Sequence, residues 1–289
     1  MSAGTVIEGA FRLVRERPTA VAVWGLVYLA VQIATTFSVA PMMDPAALSA
    51  GFGSMMGIIF LVQLVGIIIF IVLMTAAQRA ILRPRDEGLA YIGFGMDELR
   101  MIALSIILAI ASFVGLLLFT LVLTLFIGGA AMAGGGAGTV VLSFILTLLL
   151  LALMVWLAVR LSLAMPLTFL RRKIVIGESW RLTRGHFWSL FGGYLVVFII
   201  LLVVSVVAAV IASGGYFMTL LGGMGNPEAT EAVLQEQMEA MRSITPWTMF
   251  GWVLGGISGA LTVALSGGAV ATAARELTGD RDAMAETFA

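Results

Sequence analysis

Arg171-Arg-Lys-Ile-Val-Ile-Gly-Glu-Ser-Trp-Arg-Leu-Thr-Arg-Gly-His-Phe-Trp188 separates two long apolar runs, about 139–164 and 187–212. It carries five of the sixteen Lys and Arg residues, the one histidine and two of the six tryptophans. Basic, aromatic punctuation between runs of twenty or more apolar residues is the pattern of a chain that crosses a ~30 Å hydrocarbon layer repeatedly. The rest of the chain has the same character. It is 61% hydrophobic and 11% charged over 289 residues, and its mean hydropathy is +1.10. Soluble domains carry about 25% charged residues, so the polar surface needed to cover a water-exposed globule is missing. The runs do not alternate as β-barrel strands of ~10 residues do. The fold class is therefore all-α, polytopic and membrane-embedded.

Composition also excludes chemistry. Formal net charge is zero, which gives no electrostatic case for nucleic acid as a partner. With no cysteine and one histidine, thiol catalysis, disulfides and the usual metal sites have no residues to draw on. No metal and no cofactor is predicted.

Six spans follow from the hydropathy, at about 19–39, 55–77, 101–127, 139–164, 187–212 and 246–274. They make one transmembrane domain over 1–289. Short interfacial helices are expected at about 5–17, 89–100 and 174–186. In the first, Val6, Ile7, Ala10, Phe11, Leu13 and Val14 fall on one arc, opposite Glu8, Arg12, Arg15 and Glu16. Residues 41–54 read as a loop, and the glycine-rich 128–138 as a flexible turn rather than a phosphate cradle. Asn226-Pro-Glu228 reads as a helix start leading an acidic segment, 226–242. The connections on one side hold fourteen Lys and Arg residues against one, Arg242, on the other, with Arg160 inside a span. That asymmetry predicts both termini on the cytoplasmic side, with an extracytoplasmic acidic segment.

An internal repeat is visible. Ala10-Phe-Arg-Leu-Val-Arg15 aligns without gaps with Ser179-Trp-Arg-Leu-Thr-Arg184, and Thr75-Ala-Ala-Gln-Arg79 shares its ending with Thr272-Ala-Ala-Arg275. Three parallel units, each an interfacial helix followed by a helical hairpin, summarise the pattern.

Few residues stand out for function. Arg160 lies about 6 Å from the end of the fourth span at ~1.5 Å per residue. Snorkelling to the headgroups explains it, and contact with a lipid phosphate or partner is the functional reading beside it. On a helix through 176–188, Trp180, Thr183 and Phe187 share a face. Together with Trp180, the residues Arg181, Arg184, His186 and Trp188 suit either simple interfacial anchoring or contact with a lipid phosphate or partner. Gly251, Gly255 and Gly259 recur every four residues and offer a close-packing face. Packing within the chain is the simpler reading, and a second protomer or another membrane protein is the alternative. Gln32 and Gln63 read as interhelical hydrogen-bond formers. No acidic residue lies deep in a span, which argues against ion-coupled transport.

Leu161-Ser-Leu-Ala-Met-Pro166, the basic loop, and Glu178-Ser-Trp-Arg-Leu-Thr-Arg-Gly-His-Phe-Trp188 together resemble bacterial multi-pass proteins of the glycerophosphoryl diester phosphodiesterase membrane-domain type and the related YciC-like proteins. The N-terminal Glu8-Gly-Ala-Phe-Arg-Leu-Val-Arg15 is similar, with its glutamate one position out of step. The resemblance implies a bacterial inner-membrane protein. In that family the membrane domain occurs fused to a phosphodiesterase barrel, but a ~250-residue barrel does not fit in this chain, so the activity does not transfer. The expectation is a non-enzymatic scaffold or regulator that contacts lipids or partner proteins at the cytoplasmic face. The alternative is a transporter or channel for a small or lipidic solute.

Overall fold

Pro18, Pro45 and Pro246 each stand at the first position of a long helix. There the missing N–H costs nothing, and the fixed φ already suits the helix. The structure, a computed structural model, describes residues 2–40, 45–85, 88–132, 136–212 and 244–287. The acidic segment expected at 226–242 lies outside the described residues. In chain order the helices are α1 (Ala3–Glu16), α2 (Pro18–Val39), α3 (Pro45–Leu82), α4 (Met96–Met132), α5 (Ala137–Leu161), α6 (Ala164–Arg171), α7 (Ile176–Leu182), α8 (Phe187–Ala212) and α9 (Pro246–Thr287). Among the described residues α2, α3, α4, α5, α8 and α9 supply six segments long and apolar enough to cross a membrane. The protein is an all-α, multi-pass membrane protein.

Several boundaries differ from the sequence expectation, each for a local reason. Helix α3 begins at Pro45 inside the expected loop, where Ala46-Ala-Leu-Ser-Ala50 is good helix-forming sequence. Helix α4 runs past Gly128 and Gly129 to Met132. Within hydrocarbon a backbone N–H and C=O find partners only inside the helix, which favours continuing it. Residues 89–100 do not form one interfacial helix. A 3-10 turn spans Leu89–Tyr91, and α4 starts at Met96 with Asp97 and Glu98 in its first turn, where acidic side chains favour a helix start. Helix α9 continues beyond the expected end to Thr287.

The chain forms two compact units. One comprises residues 94–191 with the chain from 273 on, and the other residues 2–93 with 192–272. In the first unit α4 packs on α5 and α6, and α7 packs on α5 and α6. Its fully buried apolar side chains include Met101, Leu104, Leu163 and Leu167. The long apolar windows of α4 and α5 have no buried residues, and many of their Leu, Ile and Phe side chains, Ile110, Phe113 and Leu149 among them, are exposed.

In the second unit α9 is the packing centre. Its apolar window is 44% buried, because one face has almost no side chains. A Cβ on Gly256 would come within 2.9 Å of the Gly25 carbonyl, and one on Gly259 within 2.5 Å of the Tyr28 ring. Gly255 lies against Gln32, Gly251 against Ala212, and Gly267 against Ala77. Gly268 meets the backbone of Gly9 and Ala10 on α1, and a Cβ on Gly9 would run into Thr272. The glycines seen in the sequence thus lie against helices of the same chain. Lipid tails are as apolar as side chains, so such helices associate through close contact rather than through the hydrophobic effect. Val263 and Ala264 of α9 share a buried cluster with Trp24 of α2 and Leu73 and Met74 of α3.

Gly268→Ala places its methyl 2.8 Å from a backbone oxygen and is expected to destabilise by about 1–3 kcal/mol. It should lower the thermal unfolding midpoint in detergent micelles. Gly57→Ala, with nothing within 4 Å of the added carbon, should leave the midpoint unchanged or slightly raised.

Candidate functional site

Helix α5 ends at Leu161, and Ser162 bonds back to the Val159 carbonyl through its hydroxyl at 2.8 Å. Pro166 fits the first turn of α6, where no N–H is needed. Arg172 closes α6 in the left-handed region, φ 54°. The Val175 N–H then bonds to the Thr168 hydroxyl at 3.3 Å, and α7 begins at Ile176. Gly185, at φ 91°, turns the chain from α7 into α8, a conformation that glycine adopts without steric cost.

Helix α7 is fastened to the end of α5 through one carbonyl. The last carbonyls of a helix have no partner within it. That of Arg160 accepts from the Ser179 hydroxyl at 2.8 Å and, at the limit of hydrogen bonding, from Thr183 Oγ1 at 3.5 Å. Thr183 Oγ1 also lies 2.9 Å from the Ser179 carbonyl. Ser179 and Thr183 are fully buried, and Leu182 is nearly so. These are small hydroxyl residues whose polar atoms are taken up by backbone, so α7 can lie flush on α5.

The Arg160 side chain occupies a corner between two indoles. Its guanidinium carbon lies over Trp156 at 5.3 Å and over Trp180 at 5.6 Å. The two rings are perpendicular, 88°, with centroids 5.1 Å apart. Both contacts stabilise the cation through the ring quadrupoles. Its NH1 reaches Thr183 Oγ1 only at 3.5 Å, and its Nε is buried with no hydrogen-bond partner. The nearby carboxylate of Glu178 is bonded to Arg171 at 3.0 Å.

The other residues singled out from sequence are arranged around this corner or away from it. Arg181 and Arg184 are exposed. His186 is half-buried, with Nδ1 unpartnered. Trp188 is 78% exposed and joins a separate aromatic group with Phe187, 5.2 Å between centroids, and Phe191. The expected common face of Trp180, Thr183 and Phe187 does not exist. Helix α7 ends at Leu182 and Phe187 opens α8, because Gly185 breaks the periodicity. Gly251, Gly255 and Gly259 belong to the α9 packing face.

The repeated hexapeptides share a burial pattern. Ala10 and Ser179 are fully buried, Leu13 and Leu182 nearly so, and Phe11 and Trp180 are 45% and 38% exposed. Each therefore presents one small and one branched residue to the protein and an aromatic outward. A second feature escaped the sequence reading. Ala90 and Tyr91 both sit in the left-handed region, at φ 53° and 60°. Their carbonyls are held by Trp24 Nε1 at 3.0 Å and Arg79 NH1 at 2.6 Å. Arg17 lies over the Tyr91 ring at 5.5 Å. Arg79 lies against Gly93, where a Cβ would be 2.6 Å from its NH1.

Residues 137–234 match the family model of the membrane domain of glycerophosphoryl diester phosphodiesterase. The matched stretch contains α5 to α8 and the motif from Leu161 to Trp188 on which the resemblance rests. No curated protein and no solved structure matches the chain.

Ser179→Ala removes the shorter bond to the Arg160 carbonyl and is expected to loosen α7 by about 1–2 kcal/mol. Amide hydrogen exchange over 176–182 should accelerate about tenfold, with exchange in α9 unchanged.

Proposed function

We propose that this chain is a non-enzymatic bacterial inner-membrane protein that acts as a scaffold or regulator through lipid or protein contacts at its basic end, with both termini cytoplasmic. The observation that carries this reading is the docking of α7. Ser179 and the following Thr183 are committed to α5, Trp180 packs on Trp156 while staying partly exposed, and Arg181 and Arg184 are left outward. Aromatics at headgroup depth with arginines beside them are what a membrane-surface contact requires, and each basic residue near an anionic leaflet is worth about 1 kcal/mol. The family match is to a membrane domain, which supports a role within the bilayer. The transporter alternative draws on Arg160. Its place one residue from the end of α5 favours the headgroup reading instead.

Extraction in native membrane discs, followed by mass spectrometry of lipids and co-purified proteins, tests the proposal. Anionic lipid or a defined protein should be enriched over bulk membrane, and the R181Q/R184Q double variant should lose most of that enrichment. Equal composition of disc and bulk membrane would sink the reading. The chain has no cysteine, so orientation can be read with a single Lys173→Cys substitution. An impermeant maleimide should label it in inside-out vesicles and not in intact spheroplasts; the reverse pattern would invert the topology.

A further inference from the structure

Arg160 differs from the other arginines of its unit in what surrounds it. It is half-buried in the corner of Trp156 and Trp180. A guanidinium presents five N–H donors in a planar fork. Ring faces offset its charge but accept none of those N–H groups along the fork. Among the described residues the protein supplies one contact, at 3.5 Å to Thr183 Oγ1. That hydroxyl already lies within hydrogen-bond distance of three carbonyls, those of Ser179, Trp180 and Arg160. Nε is buried without a partner, and the carboxylate of Glu178 is taken by Arg171.

An arginine that only snorkels needs its charge in water and no fixed orientation. This one is oriented by two indoles and tied down at its own backbone carbonyl by Ser179. Such a held, donor-rich fork matches an oxyanion approached edge-on, and phosphate is the oxyanion found at headgroup depth.

We propose that Arg160, held in the corner of Trp156 and Trp180, binds the phosphate oxyanion of a single anionic lipid headgroup through the edge formed by its two terminal nitrogens, the Nε side being buried. The inference rests on the lipid-contact reading above and assigns it one defined site, distinct from the exposed Arg181 and Arg184. Because the fork and not the charge alone is required, lysine cannot substitute.

The test uses the full chain in nanodiscs of phosphatidylcholine containing increasing phosphatidylglycerol, with native mass spectrometry counting retained phosphatidylglycerol per chain. One lipid should be held tightly by the wild type. R160K and R160Q should each weaken it by roughly 10- to 100-fold, as expected for loss of charge-assisted hydrogen bonds. W180L, which opens the corner and leaves the charge, should weaken it severalfold. The R181Q/R184Q variant should keep this lipid while losing looser enrichment. Wild-type retention matched by R160K, or by R160Q and W180L together, overturns the site while leaving general lipid contact standing. No phosphatidylglycerol preference in the wild type overturns both. A parallel thermal titration with inorganic phosphate separates sources. Stabilisation by phosphate that disappears in R160K supports the same oxyanion chemistry with a soluble ligand. An Arg160-dependent protein that co-purifies in place of lipid overturns the proposal.

Discussion

Close approach of backbones along α9 is the constraint on which the second unit depends. Side chains gain little from leaving lipid for protein, so the helices are held by contact area and by the absence of gaps. Gly256 against the Gly25 carbonyl and Gly268 against the backbone of Gly9 and Ala10 bring α9 onto α2 and α1 at distances no other residue permits. Once α9 is seated, Trp24, Leu73 and Met74 form one buried cluster with its Val263. The same seating leaves Thr272 against Gly9, so the amphipathic α1 is part of the bundle and is not free to float in the interface.

A second constraint governs the helix ends. Spans terminate with carbonyls that have no partner in the helix, and near hydrocarbon water is scarce. In the first unit Ser179 and Thr183 meet this need at Arg160. In the second, Trp24 and Arg79 serve carbonyls of the connecting turn, those of Ala90 and Tyr91. In both cases a short segment following a span is fixed by polar side chains, and its aromatic or basic residues are thereby given a set direction. Trp180 faces Trp156 because α7 is fastened at the adjacent Ser179.

The spans were legible because hydropathy runs report a solvent, and the solvent here is the bilayer. The boundaries were less so: Ala46-Ala-Leu-Ser-Ala50 has helix propensity that a hydropathy threshold ignores. Trp156 and Arg160 stand at i and i+4, a spacing that places them on one helix face, so half of the indole corner was readable in advance. Trp180 was not readable as its other half, since that contact depends on where α6 turns the chain. The pairing of Trp24 with Ala90 joins residues 66 apart through a backbone conformation that neither alanine nor tyrosine favours. No local signal announces it.

That turn has a consequence for the order in which the protein assembles. Two successive non-glycine residues in the left-handed region cost roughly 1–2 kcal/mol each, and the bonds within the turn, from the Tyr91 N–H to Gly88 and from the Ile92 N–H to Leu89, do not reach the carbonyls of Ala90 and Tyr91. Those carbonyls accept from Trp24 on α2 and Arg79 on α3, so the turn gains this support once those two helices lie side by side. Synthesis from the N-terminus presents α1, α2 and α3 first. The turn is thus completed by side chains that precede it in the chain.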